Sequence, residues 1–512
     1  MIHRTFFLLP LILVSLAFAQ VPSTQSSRYF TIQVVDDQTG RGVPLVELKT
    51  VSSVRYYTDS AGLVALDDPQ YMNREVFFSL FSHGYEYPAD GFGNRGARLQ
   101  VKPGGSATLK IKRKNIAQRL YRITGEGIYR DSVLLGRSVP IAQPLLNARV
   151  TGQDSVQNAI YHNKIYWFWG DTNRQSYPLG HFGTSGATSD LPASGGLDPA
   201  VGVNLAYFTG PDAFARPMVP EPKSLLRWID AVIVLKDENG KEHLVARCED
   251  HKSLGEVRGN RLVMYNDEKN IFETIKELPI RPPLQPFGHP AIVENDGVSY
   301  VYCGQQFPDV RFRADPRSFE DVSSYEGFSC LVAGARFDME NPQLDRDTQG
   351  KLIWAWKKDT QPLSRRQIEQ LIRAGKIKSE EVWFAPKDVE TKKPLNNLGI
   401  ASVAWNAYRK KWVAIVSQTG GSSSMLGEIW YSEADKPQGP WPWAVKIITH
   451  DRYSFYNPVH HPFFDQQGGR LIYVEGTYAS TFSRNEDFTP LYEYNQIMYC
   501  LDLGDARLKF PD

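Results

Sequence analysis

The residues of this sequence best suited to chemistry are acids and histidines that recur at the ends of strand-like words. They are Asp154, Asp171, Asp230, Glu249 beside Asp250, His289, Gln305, Gln418, His460 beside His461, and Glu475. Packing gives no reason to gather carboxylates at strand ends. Like charges held close raise one another's pKa, which is what a proton donor at neutral pH requires. Polar side chains around such a set would bind a substrate: His289, Gln305, Gln418, one of His460 and His461, Arg174, Tyr456 and Trp228. Adjacent strand residues point to opposite faces, so at most one of the two histidines can face a shared space.

These residues need elements that bring them together. The stretch NAIYHNKIYWFWGDTNR, Asn158 to Arg174, reads as a strand, a tight turn at His162-Asn163-Lys164, and a second strand of large aromatics that stops at Gly170-Asp171-Thr172. Tyr166, Trp167, Phe168 and Trp169 bury more apolar area than a two-strand ribbon can use, so the hairpin belongs to a larger assembly. The pattern recurs five times. Further hairpins begin at Asp230, at Gly288-His289-Pro290, near Ser402 and at 457–461, and they end at Asp250, Gln305, Gln418 and Glu475. Third strands follow, read as NLAYFTGPDAFARP, RLVMYNDEKNIFET, FSCLVAGARFDMENP, GEIWYSEADKPQGPW and NQIMYCLDL.

Antiparallel strands repeated radially make a β-propeller. In a hairpin the start of one strand and the end of the next share one end. The strand-end residues are therefore expected to ring one central channel. An early strand around Tyr121 to Ile128 is expected to close the ring. The stretch 307–398 is expected as an insertion, with a helix from Ser364 to Lys376 opened by an S-x-x-Q capping box.

Length and composition frame this reading. With 512 residues, at least two domains are expected. Aromatics at 12%, with 40 Gly and 33 Pro, suit short strands and turns. A net charge of +1 gives no support to a nucleic-acid or membrane-surface partner. Residues 1–19 carry His3-Arg4, an apolar run and Ala17-Phe18-Ala19, the pattern of a secretory signal peptide, so a secreted or periplasmic location is expected. No later segment is long and apolar enough to span a bilayer. Four cysteines exclude a disulfide scaffold and leave room for one or two bridges. The composition leaves the oligomeric state open.

Two resemblances sharpen the expectation. The words DDQTGRGVPLVELKT, YTDSAGLVAL and FFSLFSHGYE, within 28–114, resemble the carboxypeptidase-regulatory-like (transthyretin-like) β-sandwich, which implies a non-catalytic accessory module. Residues 115–145 are the join. The words GQDSVQNAIYHNKIYWFWGDT and GEIWYSEADKPQGPW, within 146–512, resemble the five-bladed propeller glycoside hydrolases of the arabinanase, xylosidase and fructosidase kind. The fold expected is all-β, a small β-sandwich followed by a five-bladed β-propeller.

That resemblance implies a base or nucleophile at Asp154 and an orienting acid at Asp230. The family's proton donor is a Glu on the third blade, where this chain has His289, so Glu475 and then Glu249 stand as substitutes. Asp171 is either one of the working pair or the cap of its own turn. The expected function is glycoside hydrolysis of a polysaccharide or oligosaccharide, which needs two carboxyls: one protonates the leaving oxygen and one serves the opposite ring face. The alternatives are a polysaccharide lyase with a His or Tyr base, and a non-catalytic propeller binding glycan or protein. No cofactor is expected. Ca²⁺ in the central channel is compatible with all three readings.

Overall fold

In the computed structural model, residues 28–181, 183–220 and 225–511 are described, with backbone alone for 177–181. The expected signal segment lies outside the described residues. The chain is predominantly β, built as a series of small sheets.

Residues 30–113 form two four-stranded sheets. One is ordered Leu63–Leu66, Phe30–Asp36, Ser106–Arg113, Tyr85–Glu86; the other Arg55–Tyr57, Glu47–Thr50, Arg74–Phe81, Gly96–Val101. Alternate residues turn inward, and Ile32, Val34, Leu48, Phe78 and Ile111 share one buried cluster. This is period-two patterning at work: one face of each sheet is apolar and must be covered.

The rest of the described chain folds into five further sheets of four or five strands in succession, with a small three-stranded sheet at the first of them. The first contains Gln157–Tyr161, Lys164–Trp169, Ser185–Asp190 and Ala206–Tyr207. The second contains Leu226–Lys236, Glu242–Ser253, Glu256–Asn266 and Ile271–Leu278. The third contains Ala291–Asn295, Val298–Cys303, Val310–Arg313, Glu326–Ser329 and Ala355–Lys358. The fourth contains Leu398–Asn406, Lys411–Gln418, Glu428–Ala434 and Trp441–Thr449, with Phe384–Asp388 added in parallel. The fifth contains Ser454–His460, Leu471–Ala479 and Asn495–Asp502, and takes its fourth strand, Gln118–Arg122, from before the first sheet. The first hairpin turns on His162 and Asn163, both left-handed at φ 47° and 59°, as the two-residue turn that matches strand twist requires.

Three boundaries differ from expectation. The closing strand is Gln118–Arg122 rather than a segment starting at Tyr121. The third strand of the first sheet is Ser185–Asp190, SGATSD, and the NLAYFTG word supplies only Ala206–Tyr207. SGATSD lacks strand-forming side chains because it lies against bulky ones: Phe168 pairs with Gly186 and Trp167 with Ala187. A Cβ at Gly186 would lie 3.0 Å from both Phe168 and Met218. In the third sheet, the third strand is Val310–Arg313, and the FSC word is the fourth. The stretch 307–398 thus contributes strands to two sheets. Its helix, Arg365–Arg373, has the expected Ser364–Gln367 capping box.

Each sheet packs on the next through its own apolar cluster. Phe168 meets Ala246 and Val263; Val245 meets Val301 and Phe312; Tyr302 meets Val416 and Trp430; Ile415 and Tyr431 meet Val474 and Tyr499. A last cluster returns from the fifth sheet to the first, joining Tyr121, Tyr473 and Met498 to Trp167 and Trp169. The packing order is therefore cyclic. All four cysteines are free thiols, and burial pushes each up to about 12. No described helix is long and apolar enough to cross a membrane.

Trp167 is fully buried in the closing cluster, with its indole N–H on Ser189 Oγ at 2.8 Å. Replacing it with Ala should cost about 3–5 kcal/mol in urea unfolding. Trp405→Ala, at a half-exposed position, should stay within about 0.5–1 kcal/mol.

Candidate functional site

Asp154 and Asp171 are brought together by a second, smaller sheet on the end of the first. Val150–Gln153 pairs there with Thr172–Arg174, and Gln153 lies opposite Thr172. The chain leaves this pairing at Asp154, forms the aromatic hairpin, and returns to it at Asp171. Both carboxylates must then sit at one crossing. The Asp171 N–H donates to Asp154 Oδ1 at 3.2 Å, and the Gly170 N–H to the Asp154 carbonyl at 2.9 Å. Asp171 therefore does not merely cap a turn. Its Oδ1 accepts from Trp228 Nε1 and its Oδ2 from the Tyr494 hydroxyl, each at 2.9 Å.

The fifth sheet closes over Asp154. The Tyr456 hydroxyl donates to Asp154 Oδ2 at 2.9 Å, and the Tyr494 hydroxyl also lies against this carboxylate. Burial pushes the Asp154 carboxyl above its ordinary range; the hydroxyls and the Asp171 N–H favour the ion and oppose the shift. Tyr456, expected to bind a substrate, is here a hydrogen-bond donor to an acid.

Trp228 leads from this pair into the second sheet. Its ring packs on His251 at 4.3 Å between centroids. His251 Nε2 meets Glu249 at 3.2 Å, and Glu249 accepts from Arg247 at 2.5 Å. Arg247 also donates to Asp230 at 3.2 Å and lies over the Phe287 ring. Asp230 accepts from Gln157 Nε2 at 3.0 Å and from the Gly288 N–H at 3.2 Å. Burial raises the Asp230 carboxyl, and Arg247 acts the other way. Asp154, Asp171, Trp228, Glu249, Arg247 and Asp230 thus form one polar belt across the first, second and fifth sheets, reaching the start of the third.

Other expected residues lie elsewhere. Glu475 is fully buried between the fifth and first sheets and accepts from His461 Nε2 at 2.9 Å. His461 Nδ1 takes the Asn158 amide N–H, which fixes that tautomer. Burial pushes the Glu475 carboxyl up to about 8 and the His461 imidazole down to about 3, so the acid is proton-bearing but has no exposed surface from which to serve a substrate. Glu249 is set against the donor role in the opposite way. Burial would raise it, but His251 and Arg247 hold it below its ordinary range, so it is ionised at neutral pH.

The amide of Gln418 is committed to Trp430 Nε1 and the Asn396 carbonyl. Buried His460 is held on Asp465 at 2.8 Å. Arg174 pairs with Asp212 at 3.5 Å and packs on Phe214. Gln305 is exposed at the end of the third sheet's hairpin. His289 is half-buried, and burial, with His461 nearby, holds it uncharged at about 3. Among the described residues, no group of three or more His, Cys, Asp or Glu is arranged to hold a metal ion.

Sequence reasoning missed three participants. Tyr494 stands just outside the strand Asn495–Asp502, where an aromatic reads as packing. Arg247 sits among apolar neighbours in LVARCED; an arginine in a buried strand is itself a signal, because it is retained only with partners. Asp309 follows Phe307-Pro308 in a word read as insertion. It is half-buried, accepts the Gln306 N–H at 2.7 Å, and is pushed up to about 7 by burial. It flanks the Cys303 thiol together with Asp230, which places it beside the belt.

No protein-family model and no curated protein matches the sequence. Among solved structures, an exo-β-1,3-galactanase from Clostridium thermocellum aligns at 10% identity and TM-score 0.33, covering 69% of this chain and 61% of that one. An arabinanase from Bacillus subtilis aligns at 10% identity and TM-score 0.31, covering 68% and 93%. An endo-1,5-α-L-arabinanase from Thermotoga petrophila aligns at 10% identity and TM-score 0.33, covering 69% and 71%. At that level of similarity, function has to be argued from the residues of the site itself.

The Glu475 placement has a measurable sign. Its carboxyl titrates near 4.5 when unfolded and near 8 when folded. Between those values the folded state holds a proton that the unfolded chain has released, so stability is lost as pH rises through that window. Glu475→Gln should remove this component. Its unfolding free energy relative to the parent should improve steadily between about pH 5 and pH 8, read by urea melts at each pH.

Proposed function

We propose that the cyclic array of sheets is a five-bladed β-propeller and that the chain is a secreted or periplasmic glycoside hydrolase working at the Asp154 belt. One observation carries the reading: two buried carboxylates flanking the open end of one hairpin meet at a single crossing and are gripped by aromatic hydroxyl and indole donors from two other sheets. Packing alone would not place two acids there, since each buried carboxylate must be compensated by hydrogen bonds to be tolerated.

Asp154 is the base or nucleophile. Its hydroxyl donors favour the ionised form that either role needs. Asp171, turned by Trp228 and Tyr494, orients the pair and adds negative charge facing the positive charge that develops on the sugar ring. Asp230 anchors the second and third sheets through the Gly288 N–H and Arg247. The proton donor is Asp309, because it combines a proton held to about pH 7 with partial exposure. Glu475 has the proton without the exposure, and Glu249 has some exposure without the proton.

The leaving group separates these roles. A screen of neutral and anionic glycans, read by reducing ends and by ultraviolet absorbance, first finds the cleaved sugar; an unsaturated, absorbing product would select a lyase instead. Asp154→Asn should then lose at least about 10²-fold on every substrate. Asp309→Asn should lose at least about 10²-fold on unactivated glycosides and keep near-normal rates on dinitrophenyl glycosides, whose leaving group needs no proton. In the parent, activity on unactivated glycosides should fall as pH rises through about 7, where Asp309 gives up its proton, and the Asn variant should lack that limb. Equal losses on both leaving groups would remove Asp309 from the role.

A further inference from the structure

A cavity of about 300 Å³ lies between the N-terminal pair of sheets and the fifth sheet. Its lining joins Glu47, Arg55 and Tyr57 of the N-terminal unit to Arg452, Tyr453 and Asp487 of the ring. None of these belongs to the Asp154 belt, yet the two places are linked. The segment after the strand Leu471–Ala479 carries Phe482, more than half exposed, whose ring packs on Tyr456 at 5.9 Å. Tyr456 in turn holds Asp154. A few residues on, the Asn485 amide reaches the Arg452 carbonyl at 3.2 Å and Asp487 meets Arg55 at 3.5 Å. Five residues of chain span at most about 18 Å, so the cavity opens within that reach of Phe482. Phe488, beside Asp487, is also exposed.

The lining suits one class of ligand. Tyr57 and Phe81 offer aromatic faces, and charged groups offer both donors and acceptors. That mixture matches a sugar, whose hydroxyls both give and take hydrogen bonds while its C–H face packs on a ring. The charge balance disfavours an anion: Glu47, Asp451 and Asp487 stand against Arg55 and Arg452. Arg55 is already engaged by Glu47 and Asp487. Arg452 is exposed and has no ion-pair partner among the described residues. His83 adds no charge, since burial holds it at about 3.

We propose that this cavity is a second glycan-binding site, holding an uncharged stretch of the same polymer whose cleavable bond lies at Asp154, with Phe482 between the two. The proposal rests on the glycosidase reading of the belt, and binding can be measured apart from turnover. Titration calorimetry on the full chain carrying Asp154→Asn, using long and short neutral pentose and hexose oligosaccharides and polygalacturonate, provides the test.

Long neutral oligosaccharides should bind at least about tenfold more weakly when Arg452→Ala or Asp487→Asn is added, the worth of a hydrogen bond to a charged group. Short ones should be unaffected. Both positions are exposed, so both variants should fold; matched urea melts confirm it. Long-chain binding that ignores both substitutions would overturn the site, and binding of polygalacturonate in place of neutral chains would overturn its class. If binding shows the expected pattern but the protein with Asp154 intact cleaves no glycan, the cavity stands and the glycosidase reading falls.

Discussion

The strand Gln118–Arg122 ties the last sheet of the array to the chain that precedes the first. It pairs with Asn495–Asp502, so a segment that precedes the first sheet is hydrogen-bonded into the fifth as its edge strand. Both of its faces are pinned. Arg119, fully buried, donates to the carbonyls of Pro44 and His83 and to Ser82, fixing the N-terminal unit. Tyr121 donates to the Pro199 carbonyl and packs with Trp167 and Trp169 of the first sheet. Once the fifth sheet is held there, Tyr456 and Tyr494 reach Asp154 and Asp171. An open array would leave those two acids buried on one side and without donors on the other.

The acids differ mainly in what surrounds them. Burial pushes every carboxyl upward, and the outcome depends on what opposes it. At Asp154, two hydroxyls and a backbone N–H oppose it with neutral donors. At Glu249 a histidine and a buried arginine overcome it. At Glu475, and at Asp309 with only backbone N–H donors, opposition is weak and the acid keeps its proton to neutral pH. Residue type does not separate these cases: the hydroxyls at Asp154 come from another sheet, whereas both partners of Glu249 lie on its own strand.

Much of the framework was legible in the chain. Turn words such as His162-Asn163, period-two runs, and the Ser364 capping box are local signals, and local hydrogen bonds decide them. The crossing of Asp154 and Asp171 was also legible, because one hairpin connects them. SGATSD was not, since its small residues are a response to Trp167 and Phe168 across the sheet. Val310–Arg313 was hidden by its arginines, one of which pairs with Glu326 of the next strand. Glu475 was misplaced for the same reason. A glutamate in a strand of apolar residues reads as a strand end, and only the pairing with the strand before it brings His461 to it.

Strand parity also fails at the belt, and the backbone shows why. Asp154, Asp230 and Tyr456 are each followed by a left-handed residue that is not glycine: Ser155 at φ 56°, Ala231 at 53°, Asn457 at 47°. Such a conformation costs roughly 1–2 kcal/mol for an ordinary residue. In the second and fifth sheets a register shift accompanies it, between Asp230 and Ile233 and between Tyr456 and Val459. A bulge of this kind re-aims the side chain before it and resets the alternation after it. Each bend is held by a bond to another sheet or to another bend: Ser155 N–H to Thr477 Oγ1, Ala231 N–H to the Gly288 carbonyl, and the Asn457 amide to Ser155 Oγ. The strain is thus held by hydrogen bonds that cross between sheets. It recurs immediately after three residues that converge on one belt, which is where a fold would spend stability to aim side chains.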